Sequence, residues 1–329
     1  MLYAPPTVKD IAVCVVIFRP VQWTSTANNF VRLVTELARA QMPLFIAELV
    51  RPGEEAITDR LTEAQKHTTR VWVFSSEHVL FHKENLQNVL ADRIPVEYQK
   101  LCFLDADVLF TNPHWYAELS QRLNECHIVQ PMDWCEWLDA TDRSVVVENM
   151  HGKIPAGMLL QLGDKMRIER AHPGLAWAFQ REVFQQIYGF YERQPVGSGD
   201  TAFVCALSKD TEQLDANAKF FAPHEFAYVN TPSYQNYRAL VQKISPTVSY
   251  LPGNTARHLY HGPIAARGYS GAIINATLAL SPRHHHLPPI NPVTNEYPFS
   301  RRSDGILEWD DVRLKHCLLP YFQSRDEDS

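Results

Sequence analysis

From Lys9 to Phe18 (KDIAVCVVIF) the chain is nearly continuously apolar and rich in β-branched residues. A run without polar alternation is the pattern of a strand buried on both faces, as in a parallel sheet. After a loop at Arg19–Trp23, residues from about Ser25 to Gln41 bring Phe30, Leu33, Val34, Leu37 and Ala38 onto one stripe, which predicts an amphipathic helix. Pro43–Val50 reads as a second strand and Val71–Phe74 as a short third. His82–Ile94 reads as a helix with Leu86, Val89 and Leu90 turned inward. Lys100–Leu104 is the next strand, Pro113 suits the first turn of a following helix, and His127–Met132 is a further strand. Strands alternating with helices predict an α/β protein with a Rossmann-like, mostly parallel central sheet flanked by helices.

Past Asp133 the alternation weakens. Asp133–Asp142, rich in Trp, Asp and Glu, reads as a loop, and Gly and Pro punctuate the chain through residue 174. Helical patterns return at Arg181–Tyr188 and Thr201–Leu207. Ser281–Pro298 is Pro- and His-rich and reads as an extended surface segment, with His284, His285 and His286 in a surface loop. There are no internal repeats.

Composition narrows the picture modestly. The 329 residues are 45% hydrophobic and 21% charged, with a net charge of −6. No global basic field exists to draw nucleic acid indiscriminately, although a local basic groove is compatible with the count. No stretch approaches the roughly 18 apolar residues of a membrane span. The opening Met1–Pro6 has the form of neither a signal peptide nor an anchor. The six cysteines form no CxxC pair, and Cys14, Cys102 and Cys205 lie in apolar segments. They read as reduced thiols of a protein in a cytoplasmic compartment.

The candidate chemistry centres on Phe103-Leu104-Asp105-Ala106-Asp107-Val108, two carboxylates two residues apart at the end of an apolar strand. Desolvating both is costly unless a cation or ligand meets them, and hard divalent ions such as Mg²⁺ or Mn²⁺ are the usual occupants. A solvated strand-end turn is the plainer alternative. Four further segments bear on the pair. Phe18-Arg19 ends the first strand, where open parallel sheets bind ligands, and Glu48, ending the second, can accept hydrogen bonds from a ribose or base. His172–Phe179 places Gly174 ahead of an aromatic run; Trp177 offers either a sugar-stacking face or core packing. In Gly197-Ser198-Gly199-Asp200-Thr201, Asp200 fits either a helix N-cap or a general base acting on an acceptor hydroxyl. His258 and His261, three apart, suit a metal as well as a polar loop, and imidazole beside carboxylate favours Mn²⁺ over Ca²⁺.

With these motifs in order, the chain resembles glycosyltransferases of the A-type (GT-A) Rossmann-like fold. Asp105-Ala106-Asp107 is similar to their DxD motif. The block from His172 to Phe179, through Tyr188-Gly189-Phe190, to Gly197-Ser198-Gly199-Asp200 resembles that of β-1,4-galactosyltransferase-like enzymes. Lys83-Glu84-Asn85 with Asn88, and the ending Tyr321–Arg325, are similar to bacterial and viral glycosyltransferases of this fold. The resemblance implies metal ligation by Asp107 and His261, with His258 as neighbour or alternate. Asp105 would contact the ribose or reach the metal through water. Phe18, Arg19, Glu48, Lys83 and Asn88 would lie on the donor, Gly174 and Trp177 beside its sugar, and Asp200 would be the base. Where the family carries consecutive acids, this chain has Asp200-Thr201-Ala202, which leaves the base role and the stereochemistry open.

The resemblance implies a nucleotide-sugar-binding half (1–132), an acceptor-binding and catalytic half (133–275) and a C-terminal extension (276–329). The expected activity is Mn²⁺- or Mg²⁺-dependent transfer of a sugar from a UDP-linked donor, with inversion, to a saccharide or a hydroxymethylated DNA base, without membrane insertion. For a DNA acceptor, Arg257, Arg267, Arg283, Arg301 and Arg302 are the candidate cations. The rival readings are a nucleotide-sugar-binding protein without turnover and a haloacid-dehalogenase-like phosphatase, in which the first Asp would be the nucleophile.

Overall fold

The computed structural model describes residues 3–145, 154–163, 171–208, 231–263, 291 and 293–328. Its first half alternates as the apolar pattern predicts, with a short helix α2 added that the pattern does not show: β1 (Ile11–Phe18), α1 (Thr24–Arg39), β2 (Leu44–Val50), α2 (Glu63–His67), β3 (Thr69–Ser75), α3 (Lys83–Ala91) and β4 (Lys100–Leu104). Then come β5 (Val108–Phe110), α4 (Trp115–Glu125), β6 (Ile128–Gln130), β7 (Trp134–Leu138) and β8 (Ser144–Val145). The second half holds β9 (Ile154–Pro155), α5 (Ala156–Leu162), β10 (Ala171–His172), β11 (Ala176–Gln180), α6 (Arg181–Gln186) and α7 (Gly199–Leu207). It continues with α8 (Pro232–Ile244), β12 (Val248–Tyr250), β13 (Thr255–His258), β14 (Phe299–Arg301), β15 (Leu307–Trp309) and α9 (Leu319–Gln323).

Seven strands form the central sheet in the order β12-β6-β11-β4-β1-β2-β3. All neighbours are parallel except β11, which runs antiparallel to both β4 and β6. The fold is therefore a mixed α/β, Rossmann-like arrangement. β1 is buried along its length because both of its faces are covered. Ala12, Cys14 and Val16 join one core with Leu86, Val89 and Leu90 of α3. Ile11, Val13, Val15 and Ile17 join the other with Phe30, Leu33, Val34 and Leu37 of α1. Burying each of those four α1 side chains stabilises the fold by about 1.5–3 kcal/mol, so Leu33→Asp would break this layer.

Strand order reverses between β1 and β4, with β2 and β3 on one side and β11 on the other. A crevice opens at such a switch point, outside the carboxyl ends of the strands, and Asp105 follows directly on β4. The chain then leaves the central sheet. A turn at residues 105–107 leads into β5, which belongs to a second sheet of order β5-β13-β7-β8.

This second sheet corrects the loop expected at Asp133–Asp142. Trp134–Leu138 is a strand, parallel to Thr255–His258, with Cys135, Trp137 and Leu138 buried and Trp134 exposed. One-sided burial explains both the strand and its polar composition. Pro113 likewise lies ahead of α4 rather than in its first turn. His284–His286, Arg267 and Arg283 fall outside the described residues. Within the expected extension, β14 and β15 pair with each other. Arg301 of β14 pairs with Glu192, and Asn85 of α3 donates to the Gly305 carbonyl at 3.0 Å.

Candidate metal and sugar-transfer site

The turn that follows β4 sends its two carboxylates to different partners. The backbone N–H of Asp105 donates to the Leu175 carbonyl at 2.8 Å, and Leu175 holds a left-handed φ of 75°. A non-glycine residue there is strained backbone of the kind that collects at functional sites. The Asp105 side chain turns to α3, where Lys83 Nζ lies 2.8 Å from Oδ1 and 3.0 Å from Oδ2. Burial pushes the Asp105 carboxyl up to about 6 in spite of the lysine beside it. The ammonium of Lys83 is held protonated against the cost of its own burial by Asp105, Asp200 and Glu84.

Asp107 faces the second sheet. Antiparallel pairing sets His258 opposite Val108, and the N–H of Leu259 continues the ladder onto the Asp107 carbonyl at 2.8 Å. Register alone therefore brings residues 258–261 over Asp107. His261 Nε2 is 2.9 Å and His258 Nε2 is 3.7 Å from Asp107 Oδ2. Trp137 lies against the His258 ring with centroids 4.2 Å apart. The three ligand atoms of Asp107, His258 and His261 all fall within 4.8 Å of one another. An octahedral ion with bonds of about 2.1 Å places adjacent ligands ~3 Å apart, close to the 2.9 and 3.7 Å separations of the two imidazoles from Asp107, so these residues could hold one divalent ion. Two imidazole nitrogens and one carboxylate oxygen suit Mn²⁺. Asp105, engaged by Lys83, lies outside this triad.

Beside the pair is a pocket lined by Lys83, Glu84, Asp105, Gly174, Trp177 and Asp200, among others. Asp200 is in the first turn of α7, not at its cap: the N-cap is Ser198, at a left-handed φ of 71°. Its Oδ1 accepts from the N–H of Thr201 at 2.7 Å, and its Oδ2 lies 3.9 Å from Lys83. Gly174 is explained by this approach, since a Cβ there would collide with Asp200 Oδ2. Trp177 lines the pocket but is only 3% exposed. Its Nε1 donates to the Pro173 carbonyl at 2.7 Å, and its ring meets Phe203 edge-on. Trp177 thus does the core packing that was the alternative to stacking, with an edge on the pocket.

Other expected donor contacts are engaged elsewhere. Glu48 accepts from the N–H groups of Ile57 and Thr58 at 2.6 and 3.0 Å. Arg19 lies 3.9 Å from Glu48 and donates to the Glu55 carbonyl at 3.0 Å. Phe18 packs edge-on against Phe81. Asn88 clamps Phe190, donating to its carbonyl and accepting from its N–H, both at 2.9 Å. The structure thus brings Lys83, Asp105, Gly174, Trp177 and Asp200 around one pocket. Asp107, His258 and His261 gather on the other side of the same turn.

Two carboxylates carry no expected role. Glu84, adjacent to Lys83, is buried in the pocket, and burial pushes its carboxyl up to about 8. Glu327 lies behind His261, with Oε2 3.4 Å from Nδ1. The first was visible only as the middle of Lys83-Glu84-Asn85, with no role of its own, and the second as one of three acids in a polar tail.

No protein-family model matches the chain, and no curated protein matches it. Among solved structures, it is similar to GalNAc-T7, solved with UDP, GalNAc and Mn²⁺, at 12% identity and a TM-score of 0.47 over 76% of this chain and 43% of that one. It is similar to Drosophila β1,4-galactosyltransferase 7, solved with xylobiose, at 15% identity and a TM-score of 0.33 over 60% of each chain. A third is mannosyl-3-phosphoglycerate synthase from Rubrobacter xylanophilus, at 11% identity and a TM-score of 0.38 over 91% of this chain and 82% of that one. These neighbours are GT-A glycosyltransferases. The chain spans less than two thirds of the first two. Among the described residues, no helix is long and apolar enough to cross a membrane.

Proposed function

We propose that the protein transfers a sugar from a nucleotide-sugar, UDP-linked, to an acceptor hydroxyl, with a divalent ion held by Asp107, His258 and His261. The observation that carries this reading is the turn at residues 105–107. It serves a three-donor cluster on one side and a carboxylate-lined pocket on the other, at the switch point of the central sheet. Mn²⁺ bound there supplies charge neutralisation for a departing nucleoside diphosphate. Asp200 takes the proton of the acceptor hydroxyl, whose oxygen forms the new bond to the anomeric carbon. The bond from that carbon to the diphosphate oxygen breaks, and its electron pair leaves with the diphosphate. Attack from the opposite face inverts the centre. Lys83 holds Asp105 at the edge of this pocket, where Asp105 meets the ribose. In this reading residues 1–132 bind the nucleotide and 133–275 the acceptor.

A neutral saccharide is the favoured acceptor. Arg257 lies 3.8 Å from Glu136, Arg301 pairs with Glu192, and Arg302 lies 3.0 Å from Glu308. These three, the candidates among the described residues, are already paired with acids, which makes them a poor phosphate-binding face. All six cysteines are free thiols, which supports action in a reducing, cytoplasmic compartment.

Incubation with UDP-sugars tests the reading. Slow release of free sugar with Mn²⁺, absent in EDTA and accelerated by a saccharide, is the expected result. Asp200→Asn should lose roughly 10²–10⁴-fold in transfer while keeping donor binding. A variant that transfers at the wild-type rate removes Asp200 from the base role. Phosphate release from a phosphomonoester, or donor binding with no turnover, would overturn the assignment.

A further inference from the structure

Behind the metal cluster, residues 325–328 are held against the start of α1. No side chain of its own caps that helix at Trp23. Asp328 serves instead, accepting from the N–H groups of Thr24 and Ser25 at 2.9 and 2.7 Å. Ser25 Oγ donates to the Glu327 carbonyl at 2.6 Å. Gly262, at φ 84°, turns the chain just past His261, and a Cβ there would run into the backbone of Asp326 and Glu327. The glycine therefore lets the two segments touch.

This docking delivers one carboxylate to one imidazole. Glu327 is 7% exposed. Its Oε2 accepts from Thr26 Oγ1 at 2.9 Å, and its Oε1 lies 2.6 Å from Arg325 Nη2. Oε2 also lies 3.4 Å from His261 Nδ1, while Nε2 of the same ring faces Asp107 at 2.9 Å. A carboxylate at one ring nitrogen keeps the proton on that nitrogen and leaves the other nitrogen's lone pair free to bind a metal. Such partners fix ring orientation and raise ligand basicity, and their loss typically costs 10–100-fold in metal affinity.

We propose that Glu327 is a positioning residue of the metal site, its carboxylate orienting His261 for a divalent cation. The inference rests on the metal assignment made above. It adds a carboxylate 66 positions beyond the imidazole it serves.

Mn²⁺ titration of the full chain, followed by the EPR signal of the free ion, tests it without turnover. Glu327→Ala should weaken Mn²⁺ binding by about 10–100-fold. Glu327→Gln, which keeps an oxygen facing Nδ1 but loses the charge, should fall between that variant and wild type. With Co²⁺ in place of Mn²⁺, the visible spectrum of Glu327→Ala should shift. Asp328→Ala removes the cap on α1 and leaves the Glu327 carboxylate, so it should keep Mn²⁺ affinity near wild type. If Asp328→Ala weakens binding as much as Glu327→Ala, the role is purely structural and the proposal fails. It fails too if Glu327→Gln and a folded Glu327→Ala both bind Mn²⁺ like wild type. Wild-type protein that binds no Mn²⁺ would sink the metal assignment and this inference together. Mn²⁺ binding without sugar transfer would overturn the enzymatic reading alone.

Discussion

Asp105 and Asp107 leave the same turn in opposite directions, and the chemistry that receives them differs. Asp105 meets an ammonium from α3, 22 residues away, within the half of the chain that builds the central sheet. Asp107 meets two imidazoles, His258 at the end of β13 and His261 three residues past it, about 150 positions later, and behind His261 the carboxylate of Glu327. Lysine offers no lone pair to a metal, so Lys83 and Asp105 form a closed ion pair that shapes the pocket. Imidazole offers one, so the Asp107 side is a donor set. Two like residues at one turn thus divide the work between holding and ligating because a helix receives one and the end of a second-sheet strand the other.

The sharpest way to break this division is to remove one carboxylate at a time. Asp107→Ala deletes one of three donors and should cost on the order of 10³-fold in Mn²⁺-dependent kcat/KM, about 4 kcal/mol of transition-state stabilisation. Asp105→Asn should leave Mn²⁺ affinity nearly intact and act on donor binding instead. Mn²⁺ titrations of both variants decide the matter. Equal loss of the ion in the two would mean that Asp105 is a ligand and that the comparison is drawn in the wrong place.

On the Asp105 side, the expected effect is on stability. Lys83→Met leaves a largely buried carboxylate without its cation. Fully buried pairs broken this way lose about 3–5 kcal/mol; with side chains 16% and 23% exposed, about 2–3 kcal/mol is expected here. For a chain of 329 residues that corresponds to a fall of roughly 3–4 °C in Tm. Adding Asp105→Asn should restore most of it, because the second change removes the stranded charge. A double variant no more stable than Lys83→Met would show that Lys83 serves the fold by some route other than this pair.

The same contrast explains how far residue order alone could carry the reading. Strands β1 and β2 were legible because burial on both faces leaves a continuous apolar run, and Asp105 and Asp107 stood out against such a run. Strand β7 was not legible: its pairing in a small sheet with one wet side permits Trp134 and Glu136, and the mixture reads as loop. Asp200 was legible as an acid at a helix start, and of its two readings the structure removes the cap, because the left-handed Ser198 takes that place and Asp200 lies in the first turn. Glu48 and Asn88 were legible as polar residues at the right strand and helix. Only tertiary contacts reveal that Glu48 holds the backbone of Ile57 and Thr58, and that Asn88 holds Phe190. Glu327 had no signal, since an acid in a polar tail acquires meaning only through the turn at Gly262 that lets it reach His261.

The last contrast concerns Glu84, which sits beside Lys83 and whose carboxyl burial raises further than that of Asp105. Burial raises the Glu84 carboxyl from an ordinary 4.5 to about 8. Between those two values the unfolded chain has lost the proton and the folded chain keeps it. The folded state binds more protons there, so stability falls as pH rises. The contribution is whole below about 4.5 and lost as pH climbs through about 8. Asp105, raised to about 6, adds a similar fall between its ordinary 3.8 and that value. Glu84→Gln is neutral throughout and retains the Asp105 component, so the difference between variant and wild type isolates Glu84. The two proteins should melt together near pH 4.5, and the variant should gain roughly 3–6 °C by pH 8. Parallel melting curves from pH 4.5 to 8 would mean that Glu84 is ionised in the fold like an ordinary surface acid. Lys83 would then be balancing three carboxylates at neutral pH, and the closed pair drawn on the Asp105 side would have to be redrawn as an open cluster.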